Sequence, residues 1–224
     1  MKNTSAERIT MERAIGANKP IALIGYSGHA YVVIDILLGS GRLVAAYCDR
    51  EQKLSNPYGL KYLGTENEAV NGLQEFDFFV GIGNNLIRQK VQRYLGPLLG
   101  NPVNAIHTSA VVSSSVELAT GVMVAANATI NPLVKLGHGV ICNTACIIDH
   151  ECIVGDFAHI GPGTVLCGNV KVGAGSFVGA SAVIKPGITI GENATIGAGA
   201  VIINDVPANC TVVGNPQRIL QKGD

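Results

Sequence analysis

The chain has 224 residues, room for two modest domains, and its 16 Lys and Arg balance 16 Asp and Glu. That balance argues against nucleic acid or an anionic membrane surface as partner. Hydrophobic residues make up 47% and aromatics 5%, with no Trp, the balance of a core stacked from Val, Ile, Ala and Thr rather than from large rings.

Residues 1–18 mix charges with small residues and lack a secretory core; they are expected to be an arm or the start of a helix in a cytoplasmic protein. No apolar run approaches the ~20 residues of a membrane span. Pro20 to Gly25 is predicted as a buried parallel strand. It ends in Gly25-Tyr-Ser-Gly28-His29-Ala30, and a helix is predicted from Tyr31 to Leu38. Leu43–Cys48 is a second strand, closed by Asp49. Glu66–Asn71 suits a short helix. Phe76–Val80 is a third strand, ending in Gly81-Ile-Gly83-Asn84-Asn85, with a helix over Leu86–Tyr94. This alternation implies a small Rossmann-like parallel sheet with helical crossovers over residues 19–105. That is too short for a complete dinucleotide fold. Asn101–Ala110 is predicted to link it to a second domain over residues 106–214, and residues 215–224 are expected to form a polar tail.

A strand ending in Gly25-x-x-Gly28 and running into a helix suits a phosphate: the glycines let the backbone approach, and the helix start offers free N–H groups. A tight strand-to-helix turn needs the same residues. Asp49 and the Gly83-Asn84-Asn85 loop end neighbouring strands at the same carboxyl edge, where open α/β sheets bind ligands. Together they favour one nucleotide over a whole NAD. His29 lies in the loop, either at the phosphate or sugar or as a helix cap.

From Val112 to Pro207 one pattern recurs every six residues. Val, Leu or Ile sits at 112, 118, 124, 130, 136 and onward to 202, interrupted only by Cys142. Glycine often follows, as at 137, 155, 161, 173, 179, 191 and 197. Neither the helical period of 3.6 nor the strand period of 2 gives this. A prism of short strands with glycine at the corners does, three hexads to a coil, the coils stacked as parallel sheet. About five coils at ~4.8 Å each rise roughly 24 Å. Cys146 and Cys152 fall in the inward small-residue slot as compact fillers.

Charge is scarce on the coils, yet Asp149-His150-Glu151 sits mid-domain. An imidazole can take a proton near neutral pH, and a carboxylate can fix its tautomer. Adjacent strand residues point to opposite faces, so Glu151 helps His150 only if a corner bends the chain there or if it reaches through a neighbouring chain. His107 and His138 are expected to be incidental linker and turn residues. Zinc is not expected: γ-type carbonic anhydrases share the prism but need a closely spaced His-x4-His pair, and the gaps 138–150 and 150–159 do not supply one.

Three segments together, Gly25-Tyr-Ser-Gly-His-Ala30, Asp77-Phe-Phe-Val-Gly-Ile-Gly-Asn-Asn85 and His150-Glu-Cys-Ile-Val-Gly-Asp-Phe-Ala-His159, resemble the bacterial nucleotide-sugar acetyltransferases of the bacillosamine, perosamine and sialic acid type. The resemblance spans about residues 20–220. It implies a left-handed parallel β-helix, a homotrimer with active sites between neighbouring prisms, acetyl-CoA as co-substrate and no metal. It implies His150 as general base with Glu151 orienting it, and His159 beside the thioester. Gly168 would give an N–H to the thioester carbonyl, with Gly179, Ala180, Gly197 and Ala198 along the coenzyme arm. Gly25, Ser27, Gly28, His29, Asp49, Gly83, Asn84 and Asn85 would form the nucleotide-sugar pocket. Arg50 departs from relatives that carry a second acid after Asp49. The expected reaction is N-acetylation of a nucleotide-linked 4-amino-deoxysugar. The alternatives are O-acetylation of sialic acid or a similar sugar, and a non-catalytic scaffold subunit. A sugar-1-phosphate nucleotidyltransferase is disfavoured because its Gly-rich stretch with following Arg and Lys is missing.

Overall fold

The structure is a computed structural model that describes residues 19–220. The reading of residues 1–18 as an arm, and residues 221–224 of the expected tail, lie outside the described residues. Four parallel strands form the first sheet: β1 (Ile21–Ile24), β2 (Val44–Cys48), β3 (Lys61–Tyr62) and β4 (Asp77–Val80), in the order β3-β2-β1-β4. β3 was not predicted; its two residues lie exposed or half-buried and carry no apolar pattern. The helices are α1 (Gly28–Gly39), α2 (Glu66–Leu73) and α3 (Asn85–Leu99). α1 begins three residues before the predicted start, its first turn closed by the Tyr31 N–H on the Ser27 carbonyl at 3.1 Å. α2 starts on a capping box in which Thr65 and Glu68 satisfy each other's backbone N–H groups. α3 runs beyond Tyr94 through Gly96 and Pro97 because Leu95 and Leu99 pack into the apolar cluster behind the sheet.

The second body is a three-faced prism of strands paired in parallel at a spacing of 18, as in Ile141 with His159, Ile147 with Val165 and Ile153 with Lys171. Three hexads therefore make one coil, as the period requires. The prism starts earlier than the linker reading allowed: β5 (Ala105–Ile106) already pairs with Met123–Val124. One face carries seven parallel strands, from Ala105 to Thr211, so the stack exceeds the expected five coils. Arg218–Ile219, in the expected tail, pairs antiparallel onto Val212–Val213.

The corners differ from the sequence reading. From residue 121 to residue 199 every sixth residue has positive φ, and these corner positions include Asn127, Leu133, Ala145, Glu151 and Phe157 as well as glycines. The glycines that follow the inward aliphatics serve another purpose. A Cβ at Gly155 would lie 2.7 Å from the Ala174 nitrogen, and one at Gly173 2.4 Å from that of Glu192. These glycines let successive coils touch backbone to backbone.

The first residue of each strand points outward and the second inward, so each face has a distinct column. One face shows Val111, Thr129, Ile147, Val165, Val183 and Val201. A second shows Glu117, Lys135, Ile153, Lys171 and Thr189. The third begins with Ala105, Met123 and Ile141, buried together with Leu23, Tyr26, Val33 and Phe79 of the first body. The α/β body is thus docked on one face of the prism through a shared apolar core.

Candidate active site

The glycine-rich loop leaves β1 with Gly25 at φ +90°, where an added Cβ would meet Ile82 Cγ1 at 2.6 Å, so both positive φ and the facing loop require glycine. Ser27 and Gly28 are exposed, and Ser27 caps the start of α1 without a side-chain bond. Their backbone N–H groups and the Ser27 hydroxyl have no hydrogen-bond partner among the described residues and stand at a helix N-terminus, the arrangement that suits a phosphate.

Other expected pocket residues are committed to protein partners. Asp49 accepts from the Tyr26 N–H at 2.9 Å and the Arg50 N–H at 2.7 Å, and pairs with Lys53 at 3.2 Å. Asn84 caps α3 by accepting from the Ile87 N–H at 3.0 Å. Asn85 donates to the carbonyls of Gly175 and Ser176 at 3.0 and 3.1 Å and accepts from Arg88 at 2.9 Å. These side chains therefore shape the loops.

His29 and His159, expected in separate subsites, meet across the domain boundary with ring centroids 6.3 Å apart. His159 Nε2 lies 3.1 Å from Asn143 Nδ2, and Phe177 stands edge-on to its ring at 5.1 Å. Burial first, then the nearby Arg88 charge, lowers both imidazoles to about 4. His29 Nε2 and His159 Nδ1 are buried without a hydrogen-bond partner among the described residues. Beside them a cleft of about 380 Å³ lies between the α3 start and the prism, walled by Gly83, Asn85, Gln89, Phe157, Gly175 and Phe177.

His150 and Glu151 occupy a corner, and the corner resolves how they meet. Glu151 has φ +61°, which turns its side chain back so that Oε2 lies 3.0 Å from His150 Nδ1. An ionised Glu151 accepts the Nδ1 proton, leaving Nε2 as the basic nitrogen. The His150 N–H is held by Asp149 Oδ1 at 2.8 Å, and Asp149 in turn accepts from Asn131. That bond from Asn131 and the one from the His150 N–H hold the Asp149 carboxyl below its ordinary pKa. The His150 ring packs on Gly168 one coil above, where an added Cβ would lie 2.6 Å from Nε2. The Gly168 N–H has no protein acceptor among the described residues. With side chains 55% and 58% exposed, the pair contributes ~0–1 kcal/mol to stability, so its geometry is not explained by folding.

One chain does not bring all these residues together. His150, Glu151 and Gly168 lie on the prism edge opposite the docked face. Gly179, Ala180, Gly197 and Ala198 lie on another edge, between the docked face and the valine column. A Cβ on Gly179 would strike the Ala198 nitrogen at 2.6 Å, so this glycine serves coil stacking whatever else it does. Ala180 is half-buried and Ala198 exposed.

Sequence reasoning missed Arg88. It is 1% exposed and donates to five acceptors: Nε to Gly139 O, Nη1 to Ile82 O and Gly83 O, and Nη2 to Asn85 Oδ1 and Phe157 O, at 2.8–3.0 Å. The signal available was periodic: 88, 92 and 95 form the buried face of α3, and two of the three are polar. Among the described residues no cluster of three or more His, Cys, Asp or Glu is arranged to hold a metal ion, and no helix is long and apolar enough to cross a membrane.

Residues 20–95 match the PglD N-terminal domain family, and residues 151–186 and 169–204 match the bacterial transferase hexapeptide family. Fold and site thus define a hexapeptide-repeat transferase preceded by a small α/β domain. The chain is 32% identical over 151 residues to GDP-perosamine N-acetyltransferase of Escherichia coli O157:H7, covering 65% of this chain and 68% of that one. PerB from Caulobacter crescentus, solved in complex with CoA and GDP-perosamine, superposes with a TM-score of 0.86 at 39% identity, over 90% of this chain and 97% of that one. The acetyltransferase domain of PglB from Neisseria gonorrhoeae, solved with acetyl coenzyme A, gives 0.86 at 36% identity, over 91% and 100%. The chain belongs to the hexapeptide-repeat sugar N-acetyltransferases, and its prism is their left-handed parallel β-helix.

Proposed function

We propose that the protein transfers acetyl from acetyl-CoA to the 4-amino group of a nucleotide-linked amino-deoxysugar, with His150 as general base. The observation that carries this reading is the His150–Glu151 pair, held at 3.0 Å and seated on Gly168. The sugar amine attacks the thioester carbonyl carbon, forming a C–N bond. His150 Nε2 takes the amine proton, while Glu151 keeps Nδ1–H in place and stabilises the imidazolium. The free Gly168 N–H suits the oxyanion. The C–S bond then breaks, and the imidazolium returns its proton to the departing thiolate. Base catalysis supplies ~10²–10⁴-fold and one oxyanion donor ~10²–10³-fold.

The open Ser27-Gly28 helix start suits the diphosphate of the acceptor. The small side chains of Ala180 and Ala198 at their corner leave room for a coenzyme arm. Because the base and the docked pocket lie on opposite sides of one prism, the working unit in this reading is a homotrimer. The uncovered Val111-Ile147-Val165-Val183-Val201 column is the apolar surface that neighbouring copies would cover. The relatives solved or named with GDP-perosamine make a GDP-linked sugar the first acceptor to try.

Thiol release from acetyl-CoA, followed with GDP-, UDP- and dTDP-linked 4-amino-deoxysugars, tests the reading. Turnover on one of them, reduced ~10²–10⁴-fold in His150→Ala, is the expected result. Undiminished turnover in the variant removes His150 as base; no turnover on any amino sugar removes the acceptor class.

A further inference from the structure

Arg88 is a buried cation, and no carboxylate lies within ion-pair distance of it among the described residues. Burial lowers its pKa to about 10, so it stays charged at neutral pH. A buried charge without a counterion is a poor stability device, and a well-packed apolar side chain commonly does as well or better. What an apolar side chain cannot do is hold several carbonyls at set angles. A guanidinium has five N–H donors in a rigid plane, and here all five are used.

The acceptors fall into two sets. Ile82, Gly83 and Asn85 belong to the loop that ends β4 and opens α3; Gly139 and Phe157 belong to successive corners of the prism. Asn85, held by Arg88, extends the clamp with its own two bonds to the next corner, at Gly175 and Ser176. His29 rests on the same loop: a Cβ on Gly83 would lie 3.5 Å from its ring. Gly83, Asn85, Phe157 and Gly175, four walls of the 380 Å³ cleft, are thus tied by one side chain and its immediate partner.

We propose that Arg88 is a positioning residue that fixes the acceptor pocket of the α/β domain against the prism, so that its loss impairs use of the nucleotide sugar and leaves use of acetyl-CoA intact. The inference rests on the acceptor assignment made above. Of the contacts expected for acetyl-CoA, Gly168, Gly179, Ala180, Gly197 and Ala198 lie on other edges of the prism, which Arg88 does not touch; His159 lies on the docked face, and none of the five Arg88 hydrogen bonds goes to it. Lys cannot replace it, since three donors on a flexible stem cannot satisfy five acceptors in one plane.

The test compares wild type, Arg88→Lys and Arg88→Met. Arg88→Lys keeps the charge if Arg88→Met fails to fold. Expected for each folded variant is a KM for the amino sugar raised at least ~10-fold, the loss of a misplaced pocket, with KM for acetyl-CoA within about twofold of wild type. Hydrogen exchange, which needs no turnover, should show faster exchange over residues 82–92 and unchanged protection in the coils beyond residue 195. A purely structural role predicts less folded enzyme with both KM values unchanged, and that result overturns the proposal. So does unchanged exchange over residues 82–92. If wild type acetylates no amino sugar, the acceptor reading has failed, and the exchange data alone decide whether Arg88 holds the loop.

Discussion

Gly168→Ala separates the position of the base from every other property of its corner. The new Cβ would lie 2.5 Å from His150 Cε1 and 2.6 Å from Nε2. Carbon atoms in contact sit ~3.5–4.0 Å apart, so the ring must retreat by about 1 Å. Because the His150 side chain is 55% exposed, it can do so into solvent at little cost. Gly168 is not among the positive-φ glycines, so alanine fits its backbone and can stabilise by ~0.4–1 kcal/mol through the unfolded state. The amide N–H proposed for the oxyanion remains. A shift of ~1 Å in a catalytic group can cost ~10²-fold, or about 2.7 kcal/mol of barrier. The expected result is thus kcat reduced ~10²-fold with melting temperature unchanged or slightly raised. Gly155→Ala is the control. Its Cβ would press on the Ala174 nitrogen at 2.7 Å, backbone that cannot swing away, and overpacking of ~1–3 kcal/mol should lower the melting temperature. Thiol release and thermal unfolding measure both. A folded Gly168→Ala enzyme with wild-type kcat would show that the His150 ring over Gly168 is not where the proton is taken.

Two further outcomes follow from burial and surface. His29 and His159 have folded pKa values near 4 against 6.5 unfolded, so the unfolded chain binds more protons between those values; stability is full above pH 6.5 and falls toward pH 4, by up to ~3 kcal/mol per imidazole. Urea unfolding at pH 7 and pH 5 should show the drop, and equal midpoints would contradict buried neutral rings. Val183→Glu places a charge in the outward valine column and should shift the assembly toward monomer by light scattering, with activity lost in parallel; a trimer that persists would show that this face is not the interface.

The prism was legible because its signal is redundant: a period of six repeated along half the chain survives an exception such as Cys142. The reason assigned to its glycines was wrong, since sequence shows where glycine recurs but not whether φ or a neighbouring coil demands it. Left-handed corners occupied by Leu133 and Phe157 carry no sequence signal, because stacking imposes that conformation against a local preference of ~1–2 kcal/mol. The same holds for Glu151. The pair it forms with His150 was legible as a candidate, but its convergence needed the corner. Three strands of the α/β domain showed as apolar runs, whereas β3 has only two residues and no run. The His29–His159 encounter and the Arg88 clamp depend on docking between distant segments, which no local pattern encodes.

In the proposed mechanism the base and the pocket lie on opposite sides of one prism, an arrangement with a consequence that can be counted. In a homotrimer each site would take its pocket from one chain and its base from the next. His150→Ala removes the base. Gly28→Glu blocks the pocket, because a Cβ at Gly28 meets nothing within 4 Å among the described residues and the fold tolerates it, while the added carboxylate repels an acceptor phosphate at the helix start. Each variant alone should be inactive. Dissociated and reassembled one to one, random mixing pairs an intact pocket with an intact base in about a quarter of sites, so ~25% of wild-type activity should return. If the site were built within a single chain, every hybrid would carry one defect per site and stay inactive. Recovery near a quarter is explained by a site shared between chains and not by either variant refolding alone, since unmixed controls pass through the same procedure. The absence of recovery, with hybrid trimers verified by mass, would refute the shared site and require the prism edge of His150 to reach the docked pocket of its own chain.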